Sequence, residues 1–146
     1  MRHNLKGDEE SMIKAGMIGS TGYAGGELAR LLLQRDDVEI LWYGSRSYVG
    51  QKYASVYPNL FKIVDENCQD DAIKELADQV DVIFTATPQG LCASLIDEEI
   101  LSKVKVIDLS ADFRIKDQAV YEKWYKLEHK SPQFLGEAVY GLPEVN

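Results

Sequence analysis

The chain has 146 residues, 45% of them hydrophobic and 27% charged, which is enough for one compact domain with a packed core and rules out disorder over most of its length. Its formal charge of −8, with no basic cluster to reverse it locally, repels a phosphate backbone and argues against a nucleic-acid partner. Cys68 and Cys92 are the only cysteines and form no Cys-x-x-Cys pair, and no apolar run approaches the ~18 residues of a membrane span, so the composition fits a reduced, cytoplasmic setting.

Residues 1–11 are polar and read as a flexible extension ahead of a domain spanning 12–146. Residues 12–18 are short and apolar, then comes a glycine cluster, and leucines at helical spacing follow over 27–35. This predicts strand, tight loop and helix. Residues 38–43, β-branched and aromatic before a Gly-Ser break, predict a second buried strand and complete a βαβ unit. Residues 48–58 are polar and tyrosine-rich without a clear period, and 60–64 predict a short strand. A helix is expected over 70–78, with Ala72, Ile73, Leu76 and Ala77 on one stripe and Asp70 and Asp71 at its N-terminus. A strand over 82–85, one long helix over 90–104, a strand over 105–109 and a short helix over 120–125 follow. Strands alternating with helices predict an α/β fold, a Rossmann-like parallel sheet with helices on both faces.

The run Gly19, Ser20, Thr21, Gly22, Tyr23, Ala24 and Gly25 joins the first predicted strand to the first predicted helix. Backbone must come close to a ligand there, and amides at a helix N-terminus suit a pyrophosphate. The Gly-x-x-Gly-x-x-Gly spacing is one residue longer in its first interval than the usual dinucleotide fingerprint. About 20 residues on, where NAD-preferring proteins carry a ribose-binding carboxylate, the sequence instead has Tyr43, Gly44, Ser45, Arg46 and Ser47. Arg46 with the Ser45 hydroxyl suits a 2′-phosphate, which favours NADP over NAD.

Three further segments stand out: Ala86-Thr87-Pro88-Gln89-Gly90, the run from Val106 to Arg114 (Val-Ile-Asp-Leu-Ser-Ala-Asp-Phe-Arg), and the run from Glu137 to Glu144 (Glu-Ala-Val-Tyr-Gly-Leu-Pro-Glu). Together with the glycine run, they resemble the N-terminal domain of N-acetyl-gamma-glutamyl-phosphate reductase. The resemblance covers about residue 12 onward. It implies an NADPH-dependent reduction of an acyl phosphate to an aldehyde in arginine biosynthesis, through a thioester on a cysteine. It places Thr87 and Pro88 among the cofactor contacts, and it implies that Arg114 holds the substrate phosphate with its fork of N–H donors. The catalytic cysteine, in an Asn-Pro-Gly-Cys motif, and the catalytic histidine are expected beyond Asn146, so the chain alone is expected to be inactive, with homo-oligomers only when a second domain is present. One departure is Gln89, where many relatives have histidine. Aspartate-semialdehyde dehydrogenase and a stand-alone nucleotide-binding regulatory module are the rival readings.

Other reactive residues carry less. Cys92, among Leu91, Ala93 and Leu95, reads as a small core residue. His129 lies in a polar stretch without ligand-spaced partners, so no metal site is expected. Tyr121, Trp124, Tyr125 and Tyr140 read as packing residues.

Overall fold

Four strands, all paired in parallel, form the sheet of the computed structural model, which describes residues 11–142 and 144. They are β1 (Ile13–Ile18), β2 (Val38–Gly44), β3 (Val82–Thr85) and β4 (Lys105–Asp108), in the order β2-β1-β3-β4. Ala15, Gly16, Met17 and Ile18 are buried in succession. Unbroken burial of that kind is what a strand covered on both faces requires.

Helices cover both faces. On one side α1 (Tyr23–Leu32) and α2 (Tyr53–Val56) pack with Met17, Ala29, Leu32, Ile40, Tyr43 and Tyr53. On the other, α3 (Ile73–Ala77), α4 (Leu91–Leu95) and α5 (Glu98–Lys103) pack with Ile18, Trp42, Leu76, Ile83 and Ile100. In β2, Ile40 and Trp42 join opposite cores although they are two residues apart, because the register shifts between Ala15 and Gly16. Leu41 is the extra residue of a bulge that reverses the alternation. Helix α6 (Gln118–Tyr125) follows the sheet.

The Rossmann-like parallel sheet is as the sequence predicts, with four local differences. Helix α1 begins at Tyr23, not near residue 27, so Gly25 and Gly26 lie inside it. Residues 60–64 form no strand: Pro58 opens a 3₁₀ turn and Lys62 has φ +66°. The long helix expected over 90–104 is two helices, because Ile96 is extended and the Asp97 carboxylate accepts the Ile100 N–H at 2.9 Å, starting a new helix. The helix expected over 70–78 is one short turn beginning at Ile73. The predicted extension, apart from Ser11, lies outside the described residues, as do Pro143, Val145 and Asn146.

Candidate functional site

The sheet order reverses direction between β1 and β3, since β2 lies on one side of β1 while β3 and β4 lie on the other. In open α/β sheets the crevice beyond the strand ends at such a point is the ligand site. The glycine loop leaves β1 there and Ala86-Thr87-Pro88 leaves β3 beside it. They touch: a side-chain carbon on Gly19 would lie 2.3 Å from the Ala86 carbonyl oxygen, and Gly19 has φ +77°.

The three glycines of the spacing are needed for different reasons. Gly19 is fixed by its left-handed backbone and by Ala86. Gly25 is fixed by packing, since a side-chain carbon would sit 2.2 Å from the Gly19 carbonyl. Gly22 has neither constraint: its φ is −75°, and an added carbon would meet only the Gly19 carbonyl, at 3.7 Å. Nothing within the fold demands glycine at this exposed position. A ligand lying against the backbone would demand it.

Gly22 is also the N-cap of α1, and no side chain caps the helix there. The first-turn amides therefore lack intrahelical acceptors and present the positive end of the helix dipole. Two hydroxyls at the same place, Ser20 Oγ and Thr87 Oγ1, are buried without a hydrogen-bond partner among the described residues. Buried hydroxyls of this kind are costly unless something else satisfies them. These orphan groups and the open face of Gly22 fit a phosphate-bearing ligand.

Sequence reasoning missed what holds the loop in this shape. Tyr53 Oη donates to the Ser20 carbonyl at 2.7 Å, and Tyr57 Oη shares its proton between the carbonyls of Thr21, at 2.9 Å, and Gly22, at 2.8 Å. Pinning these carbonyls fixes the backbone of the loop, in which the Ser20 and Gly22 N–H groups already donate to the carbonyls of Gly44 and Gly19. Burial pushes both phenol pKa values up, with smaller contributions from neighbouring tyrosines, so both remain donors at neutral pH. Tyr57 packs directly on α1, where a side-chain carbon on Gly26 would lie 2.4 Å from its ring. The only hint in the sequence was a Gly-Gly pair followed by an aperiodic run of tyrosines.

At the end of β2, Ser45 is buried and its hydroxyl lies 2.7 Å from that of Thr21. Arg46 is exposed, as its expected role requires, but it is paired with Asp71. The sequence shows no carboxylate near Arg46; folding supplies one from 25 residues away. Tyr23 and Ala24 are exposed in the first turn of α1, with Tyr23 fully so. Thr87 is half-buried and Pro88 exposed at the end of β3.

Arg114 stands apart from the loop. It lines a largely apolar cleft of about 810 Å³ with Asp108, Phe113, Phe134 and Tyr140, and its guanidinium lies 5.6 Å from the centre of the Tyr140 ring. Neither Asp108 nor Asp112 is engaged with it. Asp108 accepts the Thr85 hydroxyl and the Ser110 N–H and hydroxyl, while Asp112 accepts the N–H groups of Gly90 and Ala93 and the Tyr121 hydroxyl.

Asp112 is wholly buried and ties the Pro88-Gln89-Gly90 turn to α6. His129 lies in the polar loop after α6 but is buried: Nδ1 accepts the Ser131 N–H at 3.2 Å and Nε2 donates to the Asp112 carbonyl at 2.7 Å. Among the described residues no cluster of His, Cys, Asp and Glu is arranged to hold a metal ion, and no helix is long and apolar enough to cross a membrane. Tyr121 is a core residue, whereas Trp124 and Tyr140 are exposed and do not pack as expected.

Comparison with known proteins bears on this geometry. Residues 14–146 match the family described as semialdehyde dehydrogenase, NAD binding domain. The chain belongs to this family. As a semialdehyde dehydrogenase NAD-binding domain, it has a nicotinamide dinucleotide as its cofactor class. It is 68% identical over 135 residues to N-acetyl-gamma-glutamyl-phosphate reductase of Lachnospira eligens and 66% identical over the same length to the protein of that name from Lachnoclostridium phytofermentans. Each alignment covers 92% of the chain, which spans 39% of the length of each relative. A crystal structure of aspartate semialdehyde dehydrogenase with NADP from Candida albicans shares the fold at a TM-score of 0.51 and 20% identity, covering 74% of this chain and 32% of that one.

Proposed function

We propose that this chain is the NADP-binding part of a reductase that converts N-acetyl-gamma-glutamyl phosphate to N-acetylglutamate semialdehyde. The observation that carries the cofactor reading is Gly22, a glycine at the N-terminus of α1 that the fold itself does not require. The names and identities of the two bacterial relatives favour the acetylglutamyl substrate over aspartyl phosphate.

In this reading Gly19, Ser20, Thr21, Gly22, Tyr23, Ala24 and Gly25 form the pyrophosphate cradle. The α1 amides supply hydrogen bonds and the positive dipole end. Ser20 and Thr87 supply the hydroxyls that lack partners among the described residues. Ser45 and Arg46 take the 2′-phosphate, and Pro88 borders the crevice. When bound, NADPH supplies the hydride. Arg114, with Asp108 and Asp112 engaged elsewhere, is left to hold the substrate phosphate. The thiol and imidazole chemistry is assigned to residues outside 1–146, since Cys68 and Cys92 are both buried.

Calorimetric titration of the chain and of Gly22→Ala with NADPH tests this reading. The native chain should bind and the variant should lose most of that affinity while keeping its circular dichroism. Equal binding by both, or no binding by either, would remove the glycine loop from the cofactor site.

A further inference from the structure

At the end of β2 the fold sets opposite charges side by side, with Arg46 Nε donating to Oδ2 of Asp71. The arginine side chain is 63% exposed and the aspartate only 11%. Asp71 is firmly placed. Gln69 donates its N–H to the Tyr43 carbonyl at 3.0 Å and accepts the Ser45 N–H at 2.7 Å, extending the edge of β2 by one residue. Trp42 Nε1 donates to the Asp70 carbonyl at 2.9 Å, and the Ile73 N–H donates to the Asp71 carbonyl at 2.7 Å. A held carboxylate thus lies against a solvent-facing guanidinium. The contact uses Nε, and among the described residues it leaves both terminal nitrogens of Arg46 for another oxyanion.

In Rossmann-type sheets this strand end faces the adenosine ribose, where a carboxylate accepts hydrogen bonds from a free diol and an arginine engages a 2′-phosphate. Here both groups are present. We infer that Asp71 is a specificity-determining residue: it orients Arg46 through Nε, repels the 2′-phosphate by like charge and offers an acceptor to the ribose diol. The site consequently prefers NADPH only moderately and also takes NADH. This inference rests on the dinucleotide reading above.

The test compares the native protein with Asp71→Asn, which keeps an oxygen for Arg46 Nε and removes the charge, and with Asp71→Ser, which removes the contact as well. Each is titrated calorimetrically with NADPH and NADH. Adenosine 2′,5′-bisphosphate and adenosine 5′-monophosphate serve as probes confined to the ribose end. The native protein should bind both nucleotides. Asp71→Asn should raise the NADPH-to-NADH affinity ratio at least tenfold, by tightening the first and weakening the second. Asp71→Ser should raise the ratio in the same direction, so that the measurement survives if one variant fails to fold. A ratio that is unchanged or falls in the folded variants overturns the role of Asp71 and leaves the dinucleotide site intact. A native protein that binds neither nucleotide overturns the dinucleotide reading, and this inference with it.

Discussion

The hydroxyls of Thr21 and Ser45 lie 2.7 Å apart, joining the glycine loop to the end of β2, the proposed phosphate and ribose ends of the crevice. The contact makes the glycine loop and the tip of β2 one unit, so a change at either should be felt by the whole dinucleotide. Ser45→Ala should weaken NADPH and NADH by similar small factors through loss of the tie, with an added loss for NADPH if Ser45 also meets the 2′-phosphate.

Arg46→Ala separates charge from geometry. A hydrogen bond to a charged partner contributes about 1.5–3 kcal/mol, so this substitution should weaken NADPH by roughly ten- to a hundredfold and leave NADH almost unchanged. Because Arg46 is exposed and its ion pair with Asp71 is near the surface, thermal stability should move little. Calorimetry with both nucleotides measures the split, and parallel losses for the two would remove Arg46 from the 2′-phosphate.

Gly19 and Gly22 look equivalent in the sequence and should behave differently. Gly19→Ala forces a left-handed residue and a backbone collision, at a cost of several kcal/mol in stability. Gly22→Ala places a poor N-cap in open space and should cost about 1 kcal/mol, yet reduce nucleotide affinity strongly. Denaturant unfolding beside nucleotide titration distinguishes them. Equal destabilisation by the two variants would contradict the assignment.

Tyr57 and Gly26 form a second testable pair. Gly26→Ala drives a methyl into the Tyr57 ring, displacing the phenol that holds the Thr21 and Gly22 carbonyls. A double-mutant cycle with Tyr57→Ala should give a coupling of about 1–3 kcal/mol, within the range for touching side chains, because the methyl is harmless once the ring is gone. Tyr57→Phe should lower the affinity of NADPH and NADH alike. Additive effects in the cycle would show that the loop does not depend on the tyrosine.

Local pattern made much of this legible. The four strands and the glycine loop between β1 and α1 follow from short apolar runs and glycine spacing. Features created by distant residues were not legible. Nothing near Arg46 in sequence announces Asp71, and nothing in an aperiodic tyrosine run says that Tyr53 and Tyr57 reach back to carbonyls 33 to 36 residues away. The break at Ile96 had a local signal, an aspartate followed by two glutamates, but the leucine and isoleucine spacing on either side ran through it. The polar sequence neighbours of His129 say nothing of its burial, which comes from Phe113, Tyr121 and Asp112.

Asp112 should be the most sensitive buried polar residue. Its carboxylate receives three hydrogen bonds, from the N–H groups of Gly90 and Ala93 and from the Tyr121 hydroxyl. Asp112→Ala strands all three donors at about 1–3 kcal/mol each. A loss of about 3 kcal/mol corresponds to roughly 6–12 °C in melting temperature for a domain of this size. Asp112→Asn retains one acceptor and should lose less. A melting temperature unchanged in Asp112→Ala would show that the turn after β3 is held by other contacts.

The two cysteines should be chemically silent in the folded chain. Burial pushes the Cys68 thiol up, and burial with the nearby Asp108 charge pushes Cys92 higher still. Because the folded pKa is raised, the thiolate is scarce at neutral pH and appears only as pH climbs past the ordinary thiol range. A nucleophile for acyl transfer needs the opposite: a lowered pKa or a base within hydrogen-bond reach, and access to the acyl group. Disulfide-exchange labelling at pH 8 should therefore find no rapidly reacting thiol in the native protein and 2 in denaturant. Mixed with N-acetyl-gamma-glutamyl phosphate and NADPH, the 146-residue chain should not oxidise the nucleotide above the blank. Cys92→Ser should bind NADPH as the native chain does, since Cys92 belongs to the core beneath α4 and not to the glycine loop. Turnover by the chain that Cys92→Ser abolished would make Cys92 the nucleophile and overturn the division between a binding part here and chemistry elsewhere.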